Sequence, residues 1–233
     1  KEKEGAIYPN PQSWAVISGA APPEQATMAM QSVQQRLATP YGLMLCAPPY
    51  RTTPHHVVRA VLFNEGTKEN AGIFSQTQPW AVMAECMLGN PERAYRYYRA
   101  FMPAAYNDRA ELRQIEPYVH CQYTHSKYSP QYGVSRTPWL TGTASWAHYV
   151  ATHYLLGIQP DYDGLRIQPC LPREWKEVRV RRMFRGKRFD ITLLRGKRGT
   201  GAALVILNGQ QLDTALIPCA LCAERNDVTV VTE

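Results

Sequence analysis

Thr137-Pro-Trp-Leu-Thr-Gly-Thr-Ala-Ser-Trp146 opens a helix whose spacing carries it to about Leu156, and the sequence has a different character on either side of it. Pro138 has a fixed backbone angle suited to a helix start. Thr141, Gly142 and Thr143 follow within the first turn or two, where backbone N–H groups lack partners inside the helix. Two hydroxyls, a glycine that lets a ligand reach the backbone and the positive end of the helix dipole would cradle an oxyanion or phosphate. The same stretch also reads as a capped core helix, because Trp146, Tyr149, Val150, His153 and Tyr154 recur at helical spacing. Taken alone, it fits packing better than binding.

Upstream, the chain reads as helical hairpins. Residues 11–18 form a short apolar helix ended by Gly19, and a second helix starts at Pro22-Pro-Glu-Gln25 with Ala26, Met30, Val33 and Leu37 on one face. Residues 42–46 are extended and lead into a proline-rich loop through Pro54. Residues 55–75 have no strong period: an apolar patch at 57–63 precedes the polar, glycine-containing run 64–72, the kind of segment that is either a mobile surface loop or a site-forming one. Helices resume at 79–88 and 91–101, and an irregular stretch, 104–136, carries Glu116-Pro-Tyr-Val-His-Cys-Gln122.

Downstream of Gly157 the period changes. Residues 165–168, 178–184, 189–194, 203–207 and 228–231 read as strands between Gly, Pro and Asn turns, with Asn208-Gly209 a strong hairpin signal. The fold class is therefore mainly α, then β: residues 1–157 are helix pairs that suggest a portion of an α/α toroid, and 158–233 form a small antiparallel β domain. Long loops between the helix pairs would line one mouth of the toroid.

At 233 residues the chain is long enough for a sizeable core. Its net charge of +7 is concentrated in residues 173–198, where Lys and Arg alternate with apolar residues as on a solvated strand face, which argues against nucleic-acid binding. There is no run of eighteen apolar residues, and Lys1-Glu-Lys-Glu4 is no signal peptide, so no membrane association is expected. The chain lacks an initial Met and is expected to be a segment of something longer. Cys219-Ala-Leu-Cys222 has metal spacing, but no second pair or nearby histidine completes it. All six cysteines are read as reduced and structural, with no metal, which favours the cytoplasm.

Three polar groups precede helices: Lys68-Glu69, the segment ending in Gln122, and Thr141. Around a common axis they would converge on one pocket. Carboxylate, ammonium and amide groups there suit sugar hydroxyls, and Trp and Tyr stack on sugar rings. The plainer alternatives are an exposed Lys68–Glu69 ion pair worth little and a Gln122 that only caps backbone.

Gln12-Ser-Trp-Ala-Val-Ile-Ser-Gly19, Lys68-Glu-Asn-Ala-Gly-Ile-Phe74, Glu116-Pro-Tyr118, Trp139-Leu-Thr-Gly-Thr-Ala144 and the run from Leu156 to Cys170 occur in this order. Together they resemble the C-terminal portion of the inverting disaccharide phosphorylases, the cellobiose and chitobiose phosphorylase family (glycoside hydrolase family 94). The resemblance implies an (α/α)6 barrel with a C-terminal β domain. It implies an enzyme that splits a β-1,4-linked disaccharide with inorganic phosphate, needing no cofactor and giving an α-sugar 1-phosphate plus a monosaccharide. Positions matching Thr141 and Gly142 hold phosphate in that family, and those matching Lys68, Glu69 and Gln122 contact the transferred sugar. Residues 59–63, with Arg59 and Phe63, lie where the family varies to suit the second sugar.

Two departures follow. The family's phosphate-binding histidine is Gln76 here, a neutral amide that contributes no charge. The family's general acid, an Asp, lies upstream of Gln12, so no catalytic residue is assigned in this chain and the fragment alone is expected to be inactive. The rival readings are a non-catalytic remnant or carbohydrate-binding fragment, and a portion of a β-1,2-glucan-related glycosyltransferase. The resemblance also allows a homodimer of the full-length protein.

Overall fold

In the computed structural model, which describes residues 3–196 and 203–232, proline sits in the first turn of each major helix of the N-terminal half. These are α1 (Pro9–Ile17), α2 (Pro23–Leu37), α3 (Gln78–Met87) and α4 (Pro91–Phe101). Proline tolerates that position because its missing N–H has no helical acceptor there. Gly19 and Gly89, both at φ +70°, end α1 and α3 in the left-handed conformation that a side chain resists. The first helix starts two residues before the expected Pro11. On α2 the buried face is the expected one, Ala26, Met30, Val33 and Leu37.

The chain divides into two compact units, Lys1–Val150 and Ala151–Glu233. In the first, α3 packs on α1 and α4 and on a shorter helix, α6 (Thr143–Val150). An aromatic series joins them: Trp14 and Trp80 meet edge to face at 5.6 Å, and Trp80 and Trp146 at 5.9 Å. Residues 104–136, expected to be irregular, contain 3-10 turns, the single-turn helix α5 (Ala110–Arg113) and two strands, β4 (Cys121–Thr124) and β5 (Ser135–Pro138). With β3 (Ile73–Phe74) they make an antiparallel sheet of order β3-β4-β5; a two-residue hairpin, β1 (Ala38–Thr39) and β2 (Gly42–Leu43), precedes it. Four-residue strands are too short to print an alternation, so only their cross-strand partners reveal them.

Among the described residues the second unit holds two sheets. One has three strands, β6 (Ile158–Pro160), β7 (Gly164–Ile167) and β12 (Leu216–Pro218), in the order β12-β7-β6. The other has five, β8 (Glu177–Phe184), β9 (Lys187–Arg195), β10 (Leu204–Leu207), β11 (Gln210–Leu212) and β13 (Arg225–Thr232), in the order β11-β10-β13-β9-β8. Ile191 and Leu193 pair with Val228 and Val230, which pair in turn with Leu207 and Val205, so the buried residues form rows across the sheet. Leu165, Ile167 and Ile217 of the smaller sheet join the same apolar core. Asn208 (φ +49°) and Gly209 (φ +85°) form the expected two-residue hairpin between β10 and β11.

The expectation of an antiparallel domain is corrected: β13 runs parallel to β9. After β10 and β11 the chain crosses to the other sheet as β12 and re-enters between β10 and β9, so the returning strand is antiparallel to one neighbour and parallel to the other. On β8, burial alternates strictly as expected of a solvated face, and Arg181 bonds Asp190 of β9 at 2.8 Å. Lys197 and Arg198, the end of the basic cluster, lie outside the described residues. All six cysteines are free thiols. Among the described residues no helix is long and apolar enough to cross a membrane.

Candidate functional site

The three polar segments are connected to one sheet, β3-β4-β5. Strand β3 follows the loop that carries Lys68 and Glu69 and runs into the 3-10 turn Ser75–Thr77 with Gln76; β4 contains Gln122; β5 leads to Thr141 and Gly142. Backbone pairing of Phe74 with Tyr123 and of Tyr123 with Arg136 holds these strands in register.

The helix start differs from the expectation. Pro138 closes β5, paired with Cys121, and α6 begins at Thr143. Thr137 (φ +55°) and Trp139 (φ +70°) are left-handed, a conformation that no helix continues, and the Trp139 N–H donates to the His120 carbonyl at 3.1 Å. Thr141 and Gly142 therefore stand just before the helix, not in its first turns. The Thr141 hydroxyl oxygen accepts the Thr143 N–H at 3.2 Å and lies 2.5 Å from the Thr143 hydroxyl. It thus takes one of the donors that a ligand would otherwise use. Gly142 is exposed and Thr143 fully buried.

The Gln76 amide packs beside Gly142, so two residues assigned to one anion from separate segments are brought together. Lys68 Nζ lies 5.2 Å from the centre of the Phe63 ring, which joins two other predicted residues. Glu69 and Arg59 are exposed, Arg59 on the 3-10 turn Arg59–Leu62. Gln122 is half-buried on β4, between the buried Cys121 and Tyr123.

Lys68 (φ +42°) and Ala71 (φ +61°) are also left-handed, so the loop holds a conformation that side chains resist. Its brace is Asn70, which is buried. Asn70 accepts the Tyr50 N–H at 2.7 Å and donates to the carbonyls of Tyr50 and Phe63, both at 2.9 Å. Gly72 lies so close that a Cβ there would come within 2.6 Å of the Lys68 backbone, so a glycine is required. Gln78, equally buried, is a second brace of this kind at the start of α3: its amide accepts the Leu43 N–H at 2.6 Å and donates to the Leu43 and Phe74 carbonyls at 2.9 and 2.8 Å. Sequence reasoning missed both braces, because each lies in a polar run, residues 64–72 and 75–78, where nothing in the sequence separates a buried amide from an exposed one.

Two of the recognised motifs touch. Trp139 Nε1 donates to Glu116 at 3.3 Å, and the rings of Tyr118 and Trp139 meet at 6.4 Å. Both rings are largely exposed, so they form an aromatic ledge beside the Thr141 segment. His120, between them in sequence, is pushed down to about 4 by burial and then by the Arg113 charge, so it is neutral at pH 7. Among the described residues no group of three or more His, Cys, Asp or Glu side chains is placed to hold a metal ion.

Comparison with known proteins gives two family matches: the glycosyl hydrolase 94 superfamily catalytic domain over residues 1–157, and the glycosyl hydrolase family 65 C-terminal domain over residues 158–200. An N,N'-diacetylchitobiose phosphorylase of Vibrio proteolyticus is 35% identical over 99% of this chain and 29% of that protein. A solabiose phosphorylase of Paenibacillus borealis is 31% identical over 93% of this chain and 28% of its own length. A cellobionic acid phosphorylase of Neurospora crassa is 32% identical over 91% and 27%. The chain thus spans less than a third of the curated relatives it matches, and those relatives are named for different disaccharides.

Proposed function

The chain belongs to the glycosyl hydrolase 94 superfamily, and we propose that it is the C-terminal portion of an inverting phosphorylase acting on a β-1,4-linked disaccharide of the chitobiose or cellobiose type. Inorganic phosphate is the co-substrate, and the products are an α-sugar 1-phosphate and a monosaccharide. The observation that carries this reading is the meeting of the Gln76 amide with Gly142, beside Thr141 at the mouth of α6. The helix pairs of the first unit support an (α/α)6 barrel completed by the rest of the protein. The proposed domains are 1–157 and 158–233, with cytoplasmic location.

The chemistry asks little of the protein. Phosphate is already a competent nucleophile, so the enzyme needs only one carboxylic acid to protonate the leaving glycosidic oxygen. Phosphate attacks the anomeric carbon from the opposite face, the glycosidic C–O bond breaks, a new C–O bond to phosphate forms, and configuration inverts. In this reading Thr141, Gly142 and Gln76 hold phosphate. Lys68, Glu69 and Gln122 hold the transferred sugar, Arg59 and Phe63 face the second sugar, and the acid is an Asp N-terminal to Lys1 in the whole protein.

The test is to supply that upstream region. A longer protein carrying the acid, incubated with diacetylchitobiose or cellobiose in phosphate buffer, is expected to release sugar 1-phosphate; release of free sugar alone would reject phosphorolysis. Gln76 favours a second reading, a carbohydrate-binding remnant, because an amide gives phosphate no positive charge. Calorimetry showing sugar binding without turnover in the longer protein would favour that alternative.

A further inference from the structure

Outside the proposed sugar and phosphate groups, the first unit has a small, partly open cavity lined by Tyr41, Ser75, Tyr106, Arg113 and Thr124, with Ala100 and Phe101. Its volume is about 10 Å³, room for one small occupant. Arg113 is only 7% exposed, and among the described residues no carboxylate pairs with it. Its Nε and Nη2 both donate to the Ser135 hydroxyl, at 3.1 and 2.9 Å, and its guanidinium lies 5.4 Å from the Tyr106 ring centre. Nη1 has no acceptor among the described residues.

The hydroxyl protons can be followed from there. Ser135 Oγ accepts twice from Arg113, so its own hydrogen goes to Thr124 Oγ1 at 3.1 Å. That leaves the Thr124 hydrogen, like that of Ser75, with nothing better than Cys121 Sγ at 3.5 Å. Tyr106 spends its hydrogen on the carbonyls of Pro40 and Ala100, at 2.5 and 2.8 Å, and burial pushes its pKa up to about 12, so it supplies no negative charge at pH 7. The wall of the cavity therefore offers two hydroxyls whose further partner is the weak acceptor Cys121 Sγ, and a positive charge with no carboxylate beside it, which a counter-ion would offset.

We propose that this cavity binds a single halide, chloride under ordinary conditions, as the counter-ion of Arg113. Phosphate and sulfate are too large for the space, and water brings no charge. Ser75 adjoins Gln76, and Thr124 lies two residues beyond Gln122, so the ion would tie together two of the segments that carry the proposed site.

To test it, the full chain is dialysed into a gluconate salt at fixed ionic strength and titrated with chloride or bromide while thermal unfolding is followed. Crystals grown in bromide are then measured for anomalous scattering. The melting temperature is expected to rise with halide, the folding constant growing close to tenfold for each tenfold rise in halide above its dissociation constant, and bromide is expected at hydrogen-bonding distance from Arg113 Nη1. Arg113→Met should abolish the dependence. If that variant does not fold, the pair Ser75→Ala and Thr124→Val should weaken it instead. A wild-type chain indifferent to halide, a dependence unchanged in the variants, or a cavity that holds water and no bromide would overturn the proposal.

Discussion

The carboxamide of Gln76 lies against Gly142, so that a methyl group built on the glycine would meet Gln76 Cδ at 3.5 Å and Nε2 and Oε1 at 3.7 Å. That separation is ordinary van der Waals contact, and Gly142 is not among the residues with positive φ. Gly142→Ala should therefore leave stability within about 0.5 kcal/mol of wild type, while the methyl fills the space in front of the amide. Phosphate binding by calorimetry should fall at least about tenfold, or ~1.4 kcal/mol. Unchanged binding would remove Gly142 from the anion site.

Gln76→His places an ionisable donor at the same point. Relative to wild type at each pH, its phosphate affinity should be raised near pH 6 and return towards the wild-type value by pH 8, because the imidazole loses its proton around pH 6.5. A ratio that does not change with pH would mean that residue 76 does not face the anion.

Asn70→Ala removes three hydrogen bonds and leaves the Tyr50 N–H and C=O without their partner. At about 1 kcal/mol for each bond, the loss is about 3 kcal/mol, read by urea unfolding. The loop holding Lys68 at positive φ should also become the first site of proteolytic cleavage. A variant as stable and as resistant as wild type would show that Asn70 is no brace.

Glu85 is fully buried on α3, 3.5 Å from Arg93 and 2.9 Å from the Asn90 amide. Burial outweighs both partners and raises its pKa above the ordinary 4.5. Stability from this raised group is fully present below 4.5 and is lost as pH rises through the folded value. The stability of Glu85→Gln relative to wild type should therefore be more favourable at pH 7 than at pH 4, as measured by denaturant titration at the two pH values; the opposite order would mean that the Arg93 pairing dominates.

Glu4 has the opposite sign. The Thr53 hydroxyl, with backbone N–H groups of the same turn, holds its carboxylate down to about 2. Its contribution is present above 4.5 and disappears as pH falls through about 2. The stability gap between wild type and Glu4→Gln should close over that range, and a gap independent of pH would show that the carboxylate is not bound by the turn.

The helices were legible because their signals are local: proline in the first turn, glycine at the end and, on α2, the spacing of Ala26, Met30, Val33 and Leu37. The β-rich second half was legible by alternation, but not the parallel pairing of β13 with β9, since a strand's own pattern is the same whichever way its neighbour runs. At the site, the polar segments were legible and the start of α6 was not. Pro138 suits a helix start and an edge strand equally, and its pairing with Cys121 decides for the strand.

By itself the sequence determined where α1 to α4 lie, the change to strands after Gly157 and the ordered motifs that mark the family. Tertiary structure alone decided what each polar side chain is for. Gln76 and Gln78 carry the same amide two residues apart, yet one stands half-buried beside Gly142 while the other is sealed against Leu43 and Phe74. An amide binds whatever unpaired groups the fold leaves within reach, and those groups come from residues far away along the chain.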